Sequence, residues 1–413
     1  MSIGTLIVRT FRNSVGAPAK NVRIRVSSRE SGEVLSDSST DAEGKLLPLI
    51  LPAPSDESTQ NPPPFVPVNN EIMQETVSPP LPFGSYDITA QDGNDITTIE
   101  GVQIYENTTA LQNIFFPGQS NNIDIPNPAI MGDFPEKIPE SETKRLPDAG
   151  GTVVLPRPVV PALITVHAGV PSDSSAPDYT IPFKDYIKNV ACSEIYATWP
   201  REAIKANVLA ILSFTMNRVY TEWYRGKGYD FTITNSTAFD QAFTYGRNIF
   251  SEVSDVVDEV FTLYITRPNM VQPLFTQYCD GVRVKRNGWL SQWGSKELAD
   301  NGYTASRILK FYYGRDIIIR EAEQVEGIPI SFPGVLSVGA RGSNVRTIQN
   351  QLNVISGKFP LIPKLAVDGI YGPKTAQSVK TFQQIFNLPA TGTVNFPTWY
   401  RISDVYVAVA ELS

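Results

Sequence analysis

One glutamate in this sequence has the surroundings that a catalytic carboxyl group needs. It is Glu194, in the stretch NVACSEIYATWP at residues 189–200. At helical spacing it follows an apolar stripe made of Phe183, Tyr186, Ile187 and Val190. Burial disfavours a charged carboxyl group and raises its pKa, which suits a general acid that works near neutral pH. The residues leave a second reading open, in which Glu194 ends a helix and pairs with Arg201 or Lys205.

Charge and the supply of metal ligands exclude several other kinds of site. The chain has 413 residues, and its net charge of −7 argues against nucleic acid as a partner, which needs a basic surface. Its two cysteines, Cys192 and Cys279, form no CxxC pair, and His167 is its one histidine. A three-histidine zinc site is therefore excluded, and we interpret His167 as a structural or surface residue.

The sequence shows no pattern of membrane insertion or export. The N-terminal run MSIGTLIVRTFRNS lacks the layout of a secretory signal, and the longest apolar stretch, ANVLAILSFTM at 206–216, is too short for a span. We expect a soluble protein that is made without a signal peptide.

Four segments with different patterning must position these residues. Residues 1–118 alternate with period 2, which predicts an antiparallel β-sandwich, and residues 119–160 form a linker rich in proline and glycine. Residues 161–330 predict an α+β domain whose helices include 183–194 and one that begins at Pro200. Residues 331–413 predict a small helical domain, with helices that start near Ser343 and Pro373.

The third segment resembles the SpoIID family of sporulation lytic transglycosylases. The resemblance rests on IPFKDYIKNVACSEIYATWPREAIKANVLA, FDQAFTYG and WLSQWGSKELADNGYTASRILKFYYG, and covers residues 181–318. It implies that Glu194 is the catalytic acid. Many members carry a cysteine and a histidine, in a run like HGVGMSQ, that look like a metal pair. Here the run is RNGWLSQ, with Arg286 near the histidine position, so we expect no zinc and no other cofactor.

Polar and aromatic residues of the same segments are candidates for binding a glycan. Amide and hydroxyl groups of Gln241, Ser291 and Gln292 could bond sugar hydroxyls, and Trp289 and Trp293 could stack on pyranose rings. The tryptophans fit a protein core equally well. Asp240 is a possible second carboxylate, or a helix-capping residue.

The flanking segments also resemble known modules. The runs GTLIVRT, APAKNVRIRV, STDAEGKL and YDITA resemble transthyretin-like sandwiches related to carboxypeptidase regulatory domains. The runs LSVGARGSNVRTIQNQLN and AVDGIYGPKTAQSVKTFQQIFNLPATGTV resemble the three-helix peptidoglycan-binding domain of cell-wall hydrolases, in which we expect Tyr371 to contact glycan. The fold class is thus an all-β transthyretin-like sandwich, a SpoIID-like α+β catalytic domain and a small peptidoglycan-binding domain.

This order of domains resembles the spore cortex-lytic enzymes. It implies a proenzyme held in the cortex and coat region of the spore, with cortex peptidoglycan as substrate and a subtilisin-like germination protease as activator. We expect residues 1–118 to inhibit the enzyme and the cut to fall near 145–153, in the stretch RLPDAGGTV. Two alternatives remain: an amidase that cuts the stem peptide from muramic acid, and a non-catalytic scaffold that binds cortex.

Overall fold

The computed structural model describes residues 2–12, 18–62, 81–116, 118–126, 158–325, 334–386 and 388–409. The expected cleavage region at 145–153 lies outside these residues. The strands are β1 Ser2–Arg12, β2 Arg23–Ser28, β3 Val34–Ser39, β4 Leu49–Ala53, β5 Gly84–Asp92, β6 Asp95–Ile104, β7 Thr109–Phe116, β8 Asn121–Asp124, β9 Val159–Pro161, β10 Leu163–His167, β11 Asp178–Pro182, β12 Ile233–Thr234, β13 Ile249–Phe250, β14 Leu263–Thr266, β15 Tyr278–Cys279, β16 Leu290–Ser291, β17 Ile318–Glu321 and β18 Glu323–Val325. The helices are α1 Glu57–Gln60, α2 Phe183–Glu194, α3 Arg201–Tyr220, α4 Ser251–Val260, α5 Gln292–Asp300, α6 Ala305–Tyr313, α7 Ser343–Ile355, α8 Pro373–Ile385 and α9 Phe396–Val409.

The N-terminal unit is built from two sheets. Their orders are β3-β2-β5-β6-β8 and β4-β1-β7-β13. Alternate residues of the strands point inward, so that Leu6 and Val8 of β1 and Ile24 and Val26 of β2 are fully buried. Pairing is mixed and not wholly antiparallel as expected, because β1 pairs with β7, and β6 with β8, in parallel.

Strand β8 changes the predicted limits of the linker. It lies within the stretch 119–160 that was expected to be irregular, and Ile125, which follows it, is almost fully buried. At the other end of that stretch, β9 pairs in parallel with β18. The first and last strands of the central unit are therefore hydrogen-bonded to each other. Strand β8 thus ends at Asp124, and β9 begins at Val159.

In the central unit the predicted helix 183–194 is confirmed as α2. The helix α3 is buried along nearly its whole length, as a helix that is apolar on most faces must be. Around it pack α2, α4, α5, α6 and β14. Within the described ranges, no helix is long and apolar enough to cross a membrane.

One hydrophobic core continues from the N-terminal unit into the central unit. The ring of Tyr105, which follows β6, packs edge-on against Phe250 at 5.1 Å and Tyr196 at 5.9 Å between centroids. The central unit also supplies β13, which pairs with β7 through Ile249 and Phe250. The C-terminal helices α7, α8 and α9 enclose a core of their own.

Candidate active site

Glu194 is the last residue of α2, and a backbone amide and a side-chain amide both donate to its carboxyl group. The backbone amide of Ala242 donates to Oε1 at 2.8 Å, and Gln292 Nε2 donates to Oε2 at 3.1 Å. Glu194 is only 3% exposed. The hydrogen bonds from these amides stabilise the ionised carboxylate, whereas burial stabilises the protonated acid. The surroundings of Glu194 therefore stabilise each protonation state through a different effect.

Gln292 reaches Glu194 from the start of α5. Ser291 caps this helix, since its Oγ accepts from the amide of Gly294 at 2.9 Å. The first turn is tied to α3, because Asn207 Nδ2 donates to Ser295 Oγ and Ser295 Oγ donates to the carbonyl of Gln292. These bonds fix the position from which Gln292 donates.

The segment that carries Ala242 is anchored on both sides. Before it, Asp240 accepts from Arg218 Nε at 2.8 Å and from Tyr224 Oη at 2.5 Å. After it, Thr244 and Asn189 of α2 exchange two bonds, amide to Oδ1 at 3.1 Å and Nδ2 to carbonyl at 2.7 Å. Asp240 is thus a buried carboxylate whose oxygens accept from Arg218, Tyr224 and Thr234, which makes it structural.

Gln241 lies beside the site but is fully buried. Its Oε1 accepts from Tyr186 Oη at 3.0 Å and from Thr215 Oγ1 at 2.8 Å, while its Nε2 donates to the carbonyl of Ile211 at 3.2 Å. These bonds use its side chain within the core. The expectation that Gln241 bonds to sugar is therefore corrected: its visible role is to hold α2, α3 and the Ala242 segment together.

Tyr278 is a neighbour of Glu194 that the sequence did not single out. It lies on β15, is 5% exposed, and its hydroxyl is close to Glu194 and Gln241. Burial raises the pKa of Tyr278 well above its ordinary value of 10, and the charge of Glu194 raises it further. A neutral phenol therefore stands next to the carboxyl group. The pattern QYCDG carried no periodic or motif signal for this position.

The remaining residues that were predicted to contact glycan differ in how far they are buried. Trp293 is in the core, 7% exposed, with its ring 4.9 Å from that of Trp199. Trp289 and Ser291 are half-buried. In the C-terminal unit, Tyr371 is fully buried and its hydroxyl donates to the carbonyl of Gly392 at 3.0 Å, so it presents no surface to glycan. For Trp293 the structure therefore supports the core alternative, and for Tyr371 the expected glycan contact is corrected, since its ring fills the core of the C-terminal unit.

The cations proposed as alternative partners of Glu194 are engaged elsewhere. Arg201 pairs with Glu259 at 2.7 Å, and Lys205 pairs with the same carboxylate at 2.5 Å. His167 is 4% exposed, bonds through Nδ1 to Asp178 at 2.7 Å, and is structural.

Metal-binding side chains do not gather near Glu194. In the part of the chain that the structure covers, no three His, Cys, Asp or Glu residues form a group that could hold a metal ion. Burial raises the pKa of the Cys192 thiol to about 11, which keeps it protonated and a poor ligand at neutral pH. Arg286, near the position of the family's histidine, is exposed.

The N-terminal unit contacts residues on both sides of Glu194. Arg247, 4% exposed, donates to Ser193 Oγ at 3.0 Å and to Gln103 Oε1 of β6 at 3.1 Å. On the other side, Trp199 Nε1 donates to the carbonyl of Thr59 in α1 at 2.8 Å. No local sequence pattern marks the residues of this interface, because they lie about 140 positions apart along the chain.

Two family models match parts of this chain. Residues 178–260 match SpoIID, described as Stage II sporulation protein, and residues 341–402 match a putative peptidoglycan binding domain. The first match includes Glu194 and Ala242, whereas Tyr278 and Gln292 lie beyond it. The chain is therefore a multidomain protein with a SpoIID domain and a C-terminal peptidoglycan-binding domain, and both matches support a sporulation-related enzyme that acts on peptidoglycan.

Comparison with individual proteins adds a distant similarity to a solved structure. No curated protein matches the chain. Among solved structures, the 5-hydroxyisourate hydrolase of Klebsiella pneumoniae is similar, with 20% identity, a TM-score of 0.17, and coverage of 28% of this chain and 92% of that chain.

Proposed function

We propose that this chain is the zymogen of a lytic transglycosylase that cleaves spore cortex peptidoglycan during germination, similar to the spore cortex-lytic enzyme SleC. The observation that carries the proposal is the position of Glu194. It ends α2 inside the SpoIID match, and its carboxyl group is held between a backbone amide and the amide of Gln292. The peptidoglycan-binding match at 341–402 supplies a means of keeping the enzyme on its polymeric substrate.

In the proposed reaction, protonated Glu194 gives its proton to the glycosidic oxygen between muramic acid and glucosamine. The bond from C1 of muramic acid to that oxygen breaks, and the glucosamine end leaves as an alcohol. The carboxylate then removes the proton from the C6 hydroxyl of the same muramic acid, whose oxygen bonds to C1. The product is a 1,6-anhydro ring, and Glu194 is protonated again.

One carboxyl group is sufficient for this chemistry. Hydrolytic glycosidases pair an acid with a nucleophile or base, whereas here the substrate's own hydroxyl attacks at high effective molarity. Asp240 forms a buried ion pair with Arg218, which is compatible with a mechanism that needs no second carboxylate. The donors from Ala242 and Gln292 would stabilise the carboxylate formed after the first proton transfer.

We also propose that the N-terminal unit keeps the enzyme inactive. Its contacts fall on Ser193, through Arg247, and on Tyr196 and Trp199, which adjoin Glu194 in sequence. Glu194 itself is almost completely buried. This supports inhibition through the position of the α2 terminus, released when a germination protease of the subtilisin type cuts the linker. The proenzyme would reside in the cortex and coat region after synthesis in the mother cell.

The product released from isolated cortex tests the proposed reaction. Mass spectrometry should find 1,6-anhydromuramic ends after treatment with the linker-cut protein. Free stem peptides would instead identify an amidase, and no soluble product would identify a scaffold.

The Glu194→Gln variant should release product at least about 100-fold more slowly, because a glutamine cannot donate the proton. Glu297→Gln is the matched control, since Glu297 is an exposed residue of α5, and it should retain full activity. Full activity in Glu194→Gln would assign the chemistry to another residue.

A further inference from the structure

A row of aromatic rings leads from the catalytic helix to the surface. Tyr186 of α2 stacks with Phe243 at 5.7 Å between centroids, and Phe243 lies 6.5 Å from Tyr179 of β11. Tyr179 in turn stacks on Tyr245 at 4.1 Å with an angle of 10° between the rings. The first two rings are buried, whereas Tyr245 is 41% exposed.

Tyr245 is held at a short distance from Glu194 by the chain itself. It lies three residues after Ala242, whose amide donates to Glu194, so their Cα atoms are at most about 10 Å apart. The two bonds between Thr244 and Asn189 fix the intervening backbone against α2. The ring therefore has a defined place relative to the carboxyl group.

We propose that Tyr245, supported from below by Tyr179, is a stacking subsite for a pyranose ring of the glycan strand. An exposed aromatic face offers an apolar surface that matches the C–H face of a sugar, and the phenol hydroxyl can bond to its polar edge. Because Tyr179 already covers one face, the ring of Tyr245 loses little freedom when a sugar covers the other. The inference rests on the proposed action on peptidoglycan and assigns one binding position to it.

Chemical protection of Tyr245 tests the subsite directly. The full-length Glu194→Gln protein is nitrated with tetranitromethane, with and without peptide-free chains of alternating N-acetylglucosamine and N-acetylmuramic acid. Mass spectrometry then measures each tyrosine. The glycan should protect Tyr245 and leave Tyr303, a half-buried residue before α6 with Arg307 over its ring, unchanged. Equal nitration of Tyr245 with and without glycan would overturn the subsite.

Kinetics of the linker-cut enzyme provide a second readout. Tyr245→Ala should raise KM about tenfold with kcat unchanged, as expected for an interaction made equally in the ground and transition states. Tyr245→Phe, which keeps the ring, should remain within about twofold of the parent. Phe311→Ala removes a ring that is 64% exposed on α6 and should have no effect. An unchanged KM for Tyr245→Ala would contradict the proposal.

The two proposals fail in different ways. If the cut protein cleaves cortex while Tyr245 is neither protected nor important for KM, the subsite is wrong and the enzyme function stands. If glycan protects Tyr245 but no anhydro product appears, the site binds glycan and the proposed reaction is wrong.

Discussion

At the level of single residues, the surroundings of Glu194 suit a group that must both give and take a proton. Burial favours the protonated acid, and the hydrogen bonds from Ala242 and Gln292 favour the carboxylate. Tyr278 adds a neutral hydroxyl close by, since its pKa is raised well above 10. Because the carboxyl group is buried, each hydrogen bond that it accepts has a larger effect than it would have in water.

The ion pair of Asp240 and Arg218 is the residue-level feature on which the geometry of the Ala242 segment depends. Both residues are almost fully buried, and Thr234 also donates to Asp240 through its amide and its hydroxyl. Asp240→Asn leaves the guanidinium buried without its counter-charge. We expect a loss of about 3–5 kcal/mol in the free energy of unfolding, measured by urea denaturation.

Asp258→Asn is the control for that measurement. Asp258 pairs with Lys184 and Lys188, but its side chain is 45% exposed, so its replacement should cost at most about 1 kcal/mol. Equal losses in the two variants would show that the buried pair has no special role in stability.

At the level of elements, one short strand joins two units that the sequence presents as separate. β13 belongs to the central unit in chain order but pairs with β7 of the N-terminal sheet. It continues directly into α4, and Asn248, just before it, donates to the carbonyl of Gln103 and accepts from the amide of Gln103. Removing the N-terminal unit therefore uncovers a strand edge as well as apolar side chains.

The turn at Gly44 is a local feature on which the N-terminal sheet depends. Gly44 has φ +70°, and a Cβ there would lie 2.5 Å from the carbonyl oxygen of Thr10 in β1. Gly44→Ala should lose about 1 kcal/mol for the left-handed backbone and about 1–3 kcal/mol more for displacing β1, measured by thermal unfolding. Gly32→Ala separates the two costs, because Gly32 has φ +73° with nothing within 4 Å. An equally small loss of stability in both variants would show that β1 can move away from the added Cβ without lowering the free energy of unfolding.

At the level of the whole molecule, the packing between units makes a direct prediction about activation. We expect the intact chain to lyse cortex at a small fraction of the rate of linker-cut protein, because contacts to Ser193, Tyr196 and Trp199 hold the end of α2. Limited proteolysis, N-terminal sequencing and a cortex-lysis assay measure this. Cut Glu194→Gln protein controls for contaminating activity. If intact and cut chains lyse cortex equally fast, the N-terminal unit has another purpose.

The boundary between the units should also respond to pH through Glu252. This residue of α4 accepts from the amide of Thr109 in β7 at 3.2 Å, and its Oε2 is buried without a hydrogen bond. Burial raises its pKa above the ordinary 4.5, against backbone bonds that lower it. The folded state then binds the proton more tightly than the unfolded state. Its contribution to stability is complete below pH 4.5 and is lost as the pH rises through the raised pKa.

Comparison with Glu252→Gln measures this contribution. The free energy of unfolding of the parent should fall relative to the variant as the pH is raised from 4 to 7. Against Glu259→Gln the trend should be opposite, so that the parent gains stability relative to this variant as the pH rises. The reason is that Lys205 and Arg201 lower the pKa of Glu259. Parallel curves for the parent and Glu252→Gln would mean that Glu252 titrates normally.

Local sequence pattern was sufficient to predict several helices of this protein and to single out Glu194. The apolar spacing of residues 183–194 predicted α2, and Ser343 and Pro373 marked the starts of α7 and α8. The same spacing identified Glu194 as an unusual carboxyl group. Such features are readable because helix periodicity and helix starts depend on residues within a few positions of one another.

Only the tertiary structure decided what surrounds Glu194. The Ala242 amide carries no side-chain signal, Tyr278 lies 84 positions away in the sequence, and the bond from Arg247 to Gln103 spans 144. The burial of Gln241 and Tyr371, which were expected to meet glycan, was equally invisible. A residue type states which bonds a side chain can make, but whether it makes them with substrate or with the core depends on which distant segments fold against it.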